Sequence, residues 1–358
     1  IGDGVLCALE DDKVILIGRP PVSNWVHYHA VTGGYDVRVE RDERSLQNGR
    51  PRKLYRFEVQ GPNAWQILEK VHGGPLPDIR FFAMGEIRIA GRTVRCLKHG
   101  MSGAPGLEIW GPKEEGDEIR ATLMEAGQEF GLRAGGARAY STVAIESGWV
   151  PSPMPAIYSG EAMRPYREWL PATGFEANAS LGGSMVCRNI EDYYLTPFDL
   201  GYGGFTKFDH DYIGRDALER MSRQPHRRKV TLVWNSDDVI GIFSTQFLAE
   251  GRAKYMDMPA SHYATLPYDM ILHEGRQIGI STYPVYTSNG RVWISLSMVD
   301  ADLSAPGTEV SVLWGEPDGG ASKPVVERHV QTTVRATVGP CPFSDEARTG
   351  YRPHVLKL

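Results

Sequence analysis

The chain has 358 residues, 41% of them hydrophobic and 23% charged, with a formal net charge of -5. That size supports two or more domains and a sizeable core, and the ordinary composition excludes a disordered or fibrous chain. The acidic balance argues against nucleic acid or an anionic membrane as the main partner; no apolar run reaches membrane-spanning length, and no signal peptide is expected. Cys7, Cys96, Cys187 and Cys341 form no C-x-x-C pair. They read as reduced thiols in a cytosol, not as a disulfide framework or a zinc site, and no metal is expected.

In chain order, residues 5–9 and 14–17 predict two strands around an acidic turn. Gly18-Arg19-Pro20-Pro21 follows, where proline ends the strand and leaves Arg19 at its tip. Residues 24–30 predict a short helix closed by Gly33-Gly34, and the charge-rich stretch 36–53 a surface hairpin or loop. A strand over 55–60 breaks at Gly61-Pro62 into a helix over 64–72. Residues 81–89 and 92–98 predict a hairpin about Gly91. The stretch 99–112, HGMSGAPGLEIWGP, holds four glycines. It predicts a tight loop and then a strand entering a core at Leu107, Ile109 and Trp110. Its one carboxylate, Glu108, stands among large apolar residues, and burying it needs a partner. A planar ligand with adjacent N–H donors is one partner; a strand face turned to water is the plainer reading.

Residues 114–130 predict the clearest amphipathic helix, with Ile119, Leu123, Ala126 and Phe130 on one face. Residues 131–170 carry much glycine, proline and aromatic content without periodicity and read as site-forming loops. A loop becomes a helix at 211–218. The basic cluster 226–229 marks a boundary and reads as solvated surface. Short β-rich runs at 230–234, 278–283, 292–299, 309–314 and 325–338 then predict a β-barrel or sandwich. The fold class is α+β, with an α/β core over 1–225 and a β-rich domain over 226–358.

Three further residues carry candidate chemistry. Arg19, framed by glycine and proline, presents a stiff guanidinium that forks onto a carboxylate, or else pairs with a local surface acid. Tyr140 has a phenol that stays protonated at neutral pH and donates to an ether oxygen, or else is a core tyrosine. Trp149 forms an aromatic wall or is a large core residue. Asp209, His210 and Asp211 look like a metal cluster only superficially, because neighbouring residues point different ways. Tyr193 and Tyr194 take no assigned role, and Glu146 reads as a structural partner of Arg138.

The stretch 99–112 resembles the loop–strand motif of the glycine-cleavage T-protein superfamily of tetrahydrofolate-dependent one-carbon transferases. With YREWLPA (166–172), NIEDYY (189–194) and KFDHDYIGRDAL (207–218), the chain is similar almost end to end to the aryl-ether O-demethylase branch. The resemblance implies methyl transfer from a methoxylated aromatic acid to N5 of tetrahydrofolate. It implies Glu108 at the pterin edge, with Tyr140, Trp149 and Ile17 also on the folate side. It implies Arg19 on the substrate carboxylate, Trp149 in the substrate pocket and Tyr140 at the ether oxygen. It further implies a cytoplasmic enzyme acting on a small aromatic acid and tetrahydrofolate, with no nucleic acid, membrane or obligatory protein partner.

One departure stands out. The aminomethyl-transferring branch has two consecutive aspartates where this chain has Gly2-Asp3. Relatives also carry a segment before residue 1, so the chain is expected to be N-terminally truncated. The alternatives are another folate-dependent demethylase or aminomethyltransferase of the superfamily, and a non-catalytic folate-binding protein; the last lacks its Lys-Gly-Cys-Tyr motif here.

Overall fold

A computed structural model describes residues 1–43, 51–322 and 324–350. The chain divides into two compact units, one of Ile1–His29 with Ser141–Phe343, the other of Ala30–Tyr140 with, among the described residues, 344–350.

The second unit is built on a four-stranded antiparallel sheet ordered β3-β6-β5-β4, with β3 at Leu54–Gln60, β4 at Met84–Ile89, β5 at Arg92–Leu97 and β6 at Gly106–Pro112. Strand residues alternate faces. One face sends Val59, Leu107, Ile109, Cys96 and Ile87 into a core closed by the helices Ala64–His72 and Gly116–Ala126. The other carries Arg56, Glu58 and Gln60 beside Glu108 and Trp110, since Glu58 pairs with Glu108 and Arg56 with Trp110 in the β3–β6 register. The helix predicted over 114–130 is α-helical only across Gly116–Ala126, with a 3₁₀ turn on either side. It breaks at Gly127, where a Cβ would lie 2.5 Å from Leu132.

In the first unit, β1 (Gly4–Glu10) and β2 (Lys13–Gly18) form the predicted hairpin. The helix after it spans Pro20–Thr32, starting earlier than expected. Proline not only ends the strand but opens the helix, because its missing N–H is one the first helical turn leaves unbonded anyway. The helix Arg164–Trp169, from the YREWLPA motif, packs on it: Tyr166 lies edge-on to Trp25 at 5.0 Å. Nearby, Asn24 donates to both carboxylate oxygens of Glu176, at 2.9 and 3.0 Å.

A two-residue bridge joins β7 (Leu181–Gly182) and β9 (Leu266–Pro267). The β-rich region closes as a six-stranded barrel ordered β10-β11-β12-β8-β14-β13. Its strands are β8 (Arg228–Trp234), β10 (Asp269–His273), β11 (Arg276–Thr287), β12 (Val292–Val299), β13 (Glu309–Trp314) and β14 (Thr332–Gly339). The α+β class and the barrel match expectation. Sequence reading missed β10 and the helix Ser236–Thr245, and it extended the last run too far toward its start.

The main correction lies within 131–170. This stretch is not loop throughout, since Ala137–Glu146 is a helix burying Thr142, Ala144 and Ile145. Its β-branched residues and leading glycines hide the helical period. Of the predicted 36–53 surface segment, residues 44–50 lie outside the described ones. Among the described residues, no helix is long and apolar enough to cross a membrane.

Candidate functional site

In the second unit the strand pattern points Glu108 away from the helix-covered core, and the carboxylate is 15% exposed. It is not the solvated strand residue of the plainer reading. One oxygen pairs with Arg56 and the other takes a hydrogen bond from His99 Nε2 at 2.7 Å. The His99 tautomer follows from its other nitrogen, since Nδ1 accepts the Met101 N–H at 3.2 Å and the ring hydrogen must sit on Nε2. Met101 in turn is the acceptor for the Tyr140 hydroxyl, at 3.4 Å to sulfur. The loop thus ties Tyr140 to Glu108 through Met101 and His99. Gly106 enters β6 where a Cβ would lie 2.0 Å from the Val59 carbonyl oxygen, so no other residue lets the loop join β3 so closely.

Several buried polar atoms of this unit have no hydrogen-bond partner among the described residues: Glu58 Oε1, Gln60 Oε1, Trp110 Nε1 and Ser102 Oγ. Glu58, Gln60 and Trp110 share the Glu108 face of the sheet. Burial pushes the Glu58 carboxyl up to about 7, with Arg56 pulling it back. A carboxylate has about four lone-pair sites, and Arg56 and His99 engage one on each oxygen. Spare acceptors and donors on one enclosed face suit a flat, polar heterocycle that presents both N–H and C=O groups.

In the first unit the register closes with Gly4 opposite Gly18, so Asp3 and Arg19 flank the open end of the hairpin. Trp149 Nε1 donates to Asp3 Oδ2 at 2.8 Å, so Trp149 joins that end. Trp149 follows Gly148, whose φ of 75° and 2.9 Å Cβ approach to Cys341 Sγ both require glycine. Arg19 is exposed and Ile17, paired with Val5, is half-buried.

A curated syringate O-demethylase from Sphingobium sp. is 46% identical over 352 residues, covering 98% of this chain and 76% of the relative. The chain belongs to the syringate O-demethylase family. A sesamin methylene transferase from Sinomonas sp. is 30% identical over 357 residues, 96% of this chain and 74% of the relative. A dimethylsulfoniopropionate demethylase from Ruegeria pomeroyi is 25% identical over 300 residues, 84% of this chain and 62% of the relative. The GCVT N-terminal domain matches residues 1–152, which places this demethylase-family chain in the glycine-cleavage T-protein superfamily.

The five sequence-predicted residues therefore fall into two groups, Glu108 with Tyr140 and Arg19 with Trp149 and Ile17. Sequence reading missed Arg56 and Glu58 and gave His99 only a loop-shaping part. The His99-Gly100 step into a glycine loop was the one signal for His99. The other family motifs make hydrogen bonds within the fold. Tyr193 donates to the Met185 carbonyl at 3.0 Å, Tyr194 accepts from the Tyr158 N–H at 3.1 Å, and Arg215 donates to the Phe208 carbonyl at 2.7 Å. Glu146 accepts from Asn289 at 2.9 Å, and His210 pairs with Asp209 at the surface.

Proposed function

We propose that this chain demethylates a methoxylated aromatic acid of the syringate, vanillate or 3-O-methylgallate class, with roles assigned residue by residue. It is a methyltransferase of the syringate O-demethylase family, and tetrahydrofolate is its co-substrate. When bound, tetrahydrofolate supplies N5 as the nucleophile that accepts the methyl group. The products are 5-methyltetrahydrofolate and a catechol-type acid.

Glu108 takes the N–H donors of the pterin edge. Arg56 and the His99 Nε2–H hold its carboxylate aimed. Trp149, pinned by Asp3, and Ile17 line the folate and substrate surface. Arg19 forks onto the substrate carboxylate. Tyr140 serves the leaving oxygen: as the methyl C–O bond breaks, its electron pair stays on the phenolic oxygen, which takes the Tyr140 proton, and the proton given up by the methylated amine restores the phenol. The hydroxyl rests on the Met101 thioether, a weak acceptor that an ether oxygen replaces. Folate and substrate binding are assigned to residues 1–225 and a β-rich domain to 226–358. The setting is the cytoplasm, with two small molecules as partners and neither nucleic acid nor an obligatory protein.

The observation that carries the reading is the oriented Glu108 carboxylate on a face of unpartnered polar atoms. The test is methyl transfer from each methoxybenzoate to tetrahydrofolate. Tyr140→Phe is expected to lower kcat about 10²–10⁴-fold. Glu108→Ala is expected to abolish measurable folate binding while the aromatic acid still binds. Normal turnover by the first variant removes the proton-donor role, and unchanged folate affinity in the second removes the pterin role.

A further inference from the structure

Strand β11 carries an irregularity between Thr282 and Val285, and Tyr283 sits in it at φ 52°, a conformation rare for a bulky residue. The segment before β9 is hydrogen-bonded along this bulge. Tyr286 N–H donates to Pro259 O at 2.7 Å, Ser261 N–H to Pro284 O at 3.3 Å, and Ala260 bridges Val285. The buried Tyr283 hydroxyl shares its one hydrogen between the carbonyls of Ser152, at 2.9 Å, and Thr265, at 3.2 Å. Held in this way, its ring is the platform for His262, which stands edge-on at 5.2 Å and 89°.

These contacts lead back to the open end of the β1–β2 hairpin. Ser152 lies just past Trp149, Trp149 holds Asp3, Asp3 and Arg19 flank the open end of the hairpin, and the Arg19 charge acts on both Tyr283 and His262. Against this background His262 Nε2 is enclosed and has no hydrogen-bond partner among the described residues. A buried ring nitrogen without a partner calls for an explanation, and a ligand atom supplies one.

We propose that His262 is a second hydrogen-bonding residue for the substrate carboxylate, placed beside Arg19 and selecting acids over uncharged methoxyphenols. The proposal rests on the reading of Arg19 as carboxylate anchor, and it extends substrate contact beyond residue 225. Burial, with the Arg19 charge acting in the same direction, lowers the imidazole to about 4, so the ring is neutral at working pH. Neutral imidazole has one N–H donor. In the tautomer with hydrogen on Nε2, it serves a carboxylate oxygen lone pair that the Arg19 fork leaves open. A site built to hydrogen-bond a polar group discriminates strongly against the analogue that lacks it.

The test is calorimetric binding of 4-hydroxy-3-methoxybenzoate and of 2-methoxyphenol, the same ring without its carboxylate, to the full chain. His262→Phe is expected to weaken the acid about tenfold and leave the phenol within about twofold, while His262→Gln, which keeps an N–H near the Nε2 position, stays within about threefold on both. Equal losses on the two ligands, or none on the acid, overturn the proposal. Arg19→Met separates the two readings. If it leaves acid binding unchanged, the anchor falls and this inference falls with it. If it weakens the acid while His262→Phe does not, this inference alone falls. A variant that does not fold is covered by the wild-type protein, in which the His262 ring-nitrogen NMR resonance shifts with the acid and not with the phenol. A resonance that stays still with the acid, or moves equally with both, overturns it.

Discussion

Glu58 and Glu108 stand directly opposite each other on β3 and β6, in different surroundings. Glu108 is held by Arg56 and His99, whereas burial pushes the Glu58 carboxyl up to about 7 from an ordinary 4.5, with Arg56 pulling it back. Between these values the folded protein holds a proton that the unfolded chain has released. Stability therefore falls as pH rises through that window, by on the order of 2–3 kcal/mol. Glu58→Gln is expected to flatten this part of the profile, read as denaturation midpoints on both sides of the window. His99→Ala is expected to weaken folate binding about tenfold in a fluorescence titration, since one carboxylate oxygen loses its donor. Glu108 was legible because its strand and glycine loop are contiguous. Arg56 was not, because it lies 52 residues away and becomes a partner only when β3 and β6 pair.

At the level of elements, local chemistry decides more. The helix Ser236–Thr245 opens on Asn235, whose side chain accepts the Asp238 N–H at 3.1 Å, and Asp238 pairs with Arg335 of β14 at 2.7 Å. Asn235→Ala is expected to cost about 1 kcal/mol, measured by denaturant unfolding. Gly106→Ala is expected to be worse, by more than about 1 kcal/mol, and to reduce folate affinity as well, because the clash with Val59 moves the start of the Glu108 strand. The strand–GP–helix step, the Gly91 hairpin and most barrel strands were readable from alternation and turn residues. The helix carrying Tyr140 was not. Its period is short and mixed, and it is stabilised by the contacts that bury Ala144 and Ile145.

At the scale of the whole chain, each unit has its own core, and the barrel-bearing unit also encloses charge. Lys254 and Glu316 meet at 2.8 Å with 5% and 6% of their side chains exposed, and Glu316 also accepts the Gly183 N–H at 2.9 Å. Lys254 further faces the Trp314 ring at 4.8 Å. Lys254→Met leaves a buried carboxylate without its cation and is expected to cost about 3–5 kcal/mol, seen as a lower urea midpoint. Replacing both partners by apolar residues is expected to recover much of that loss. The pair is separated by 62 residues, and neither residue stood out in the sequence.

The amino-acid order alone determined the α+β class, the barrel, the family and the loop–strand that presents Glu108, because each is written in contiguous periodicity, turn residues or motif. Tertiary structure decided what those residues meet: Arg56 and His99 on Glu108, Asp3 under Trp149, and His262 on the Tyr283 ring. The physical reason is that a strand's own pattern states which side chains share a face. Which strand or loop lies opposite is settled only when the chain closes on itself.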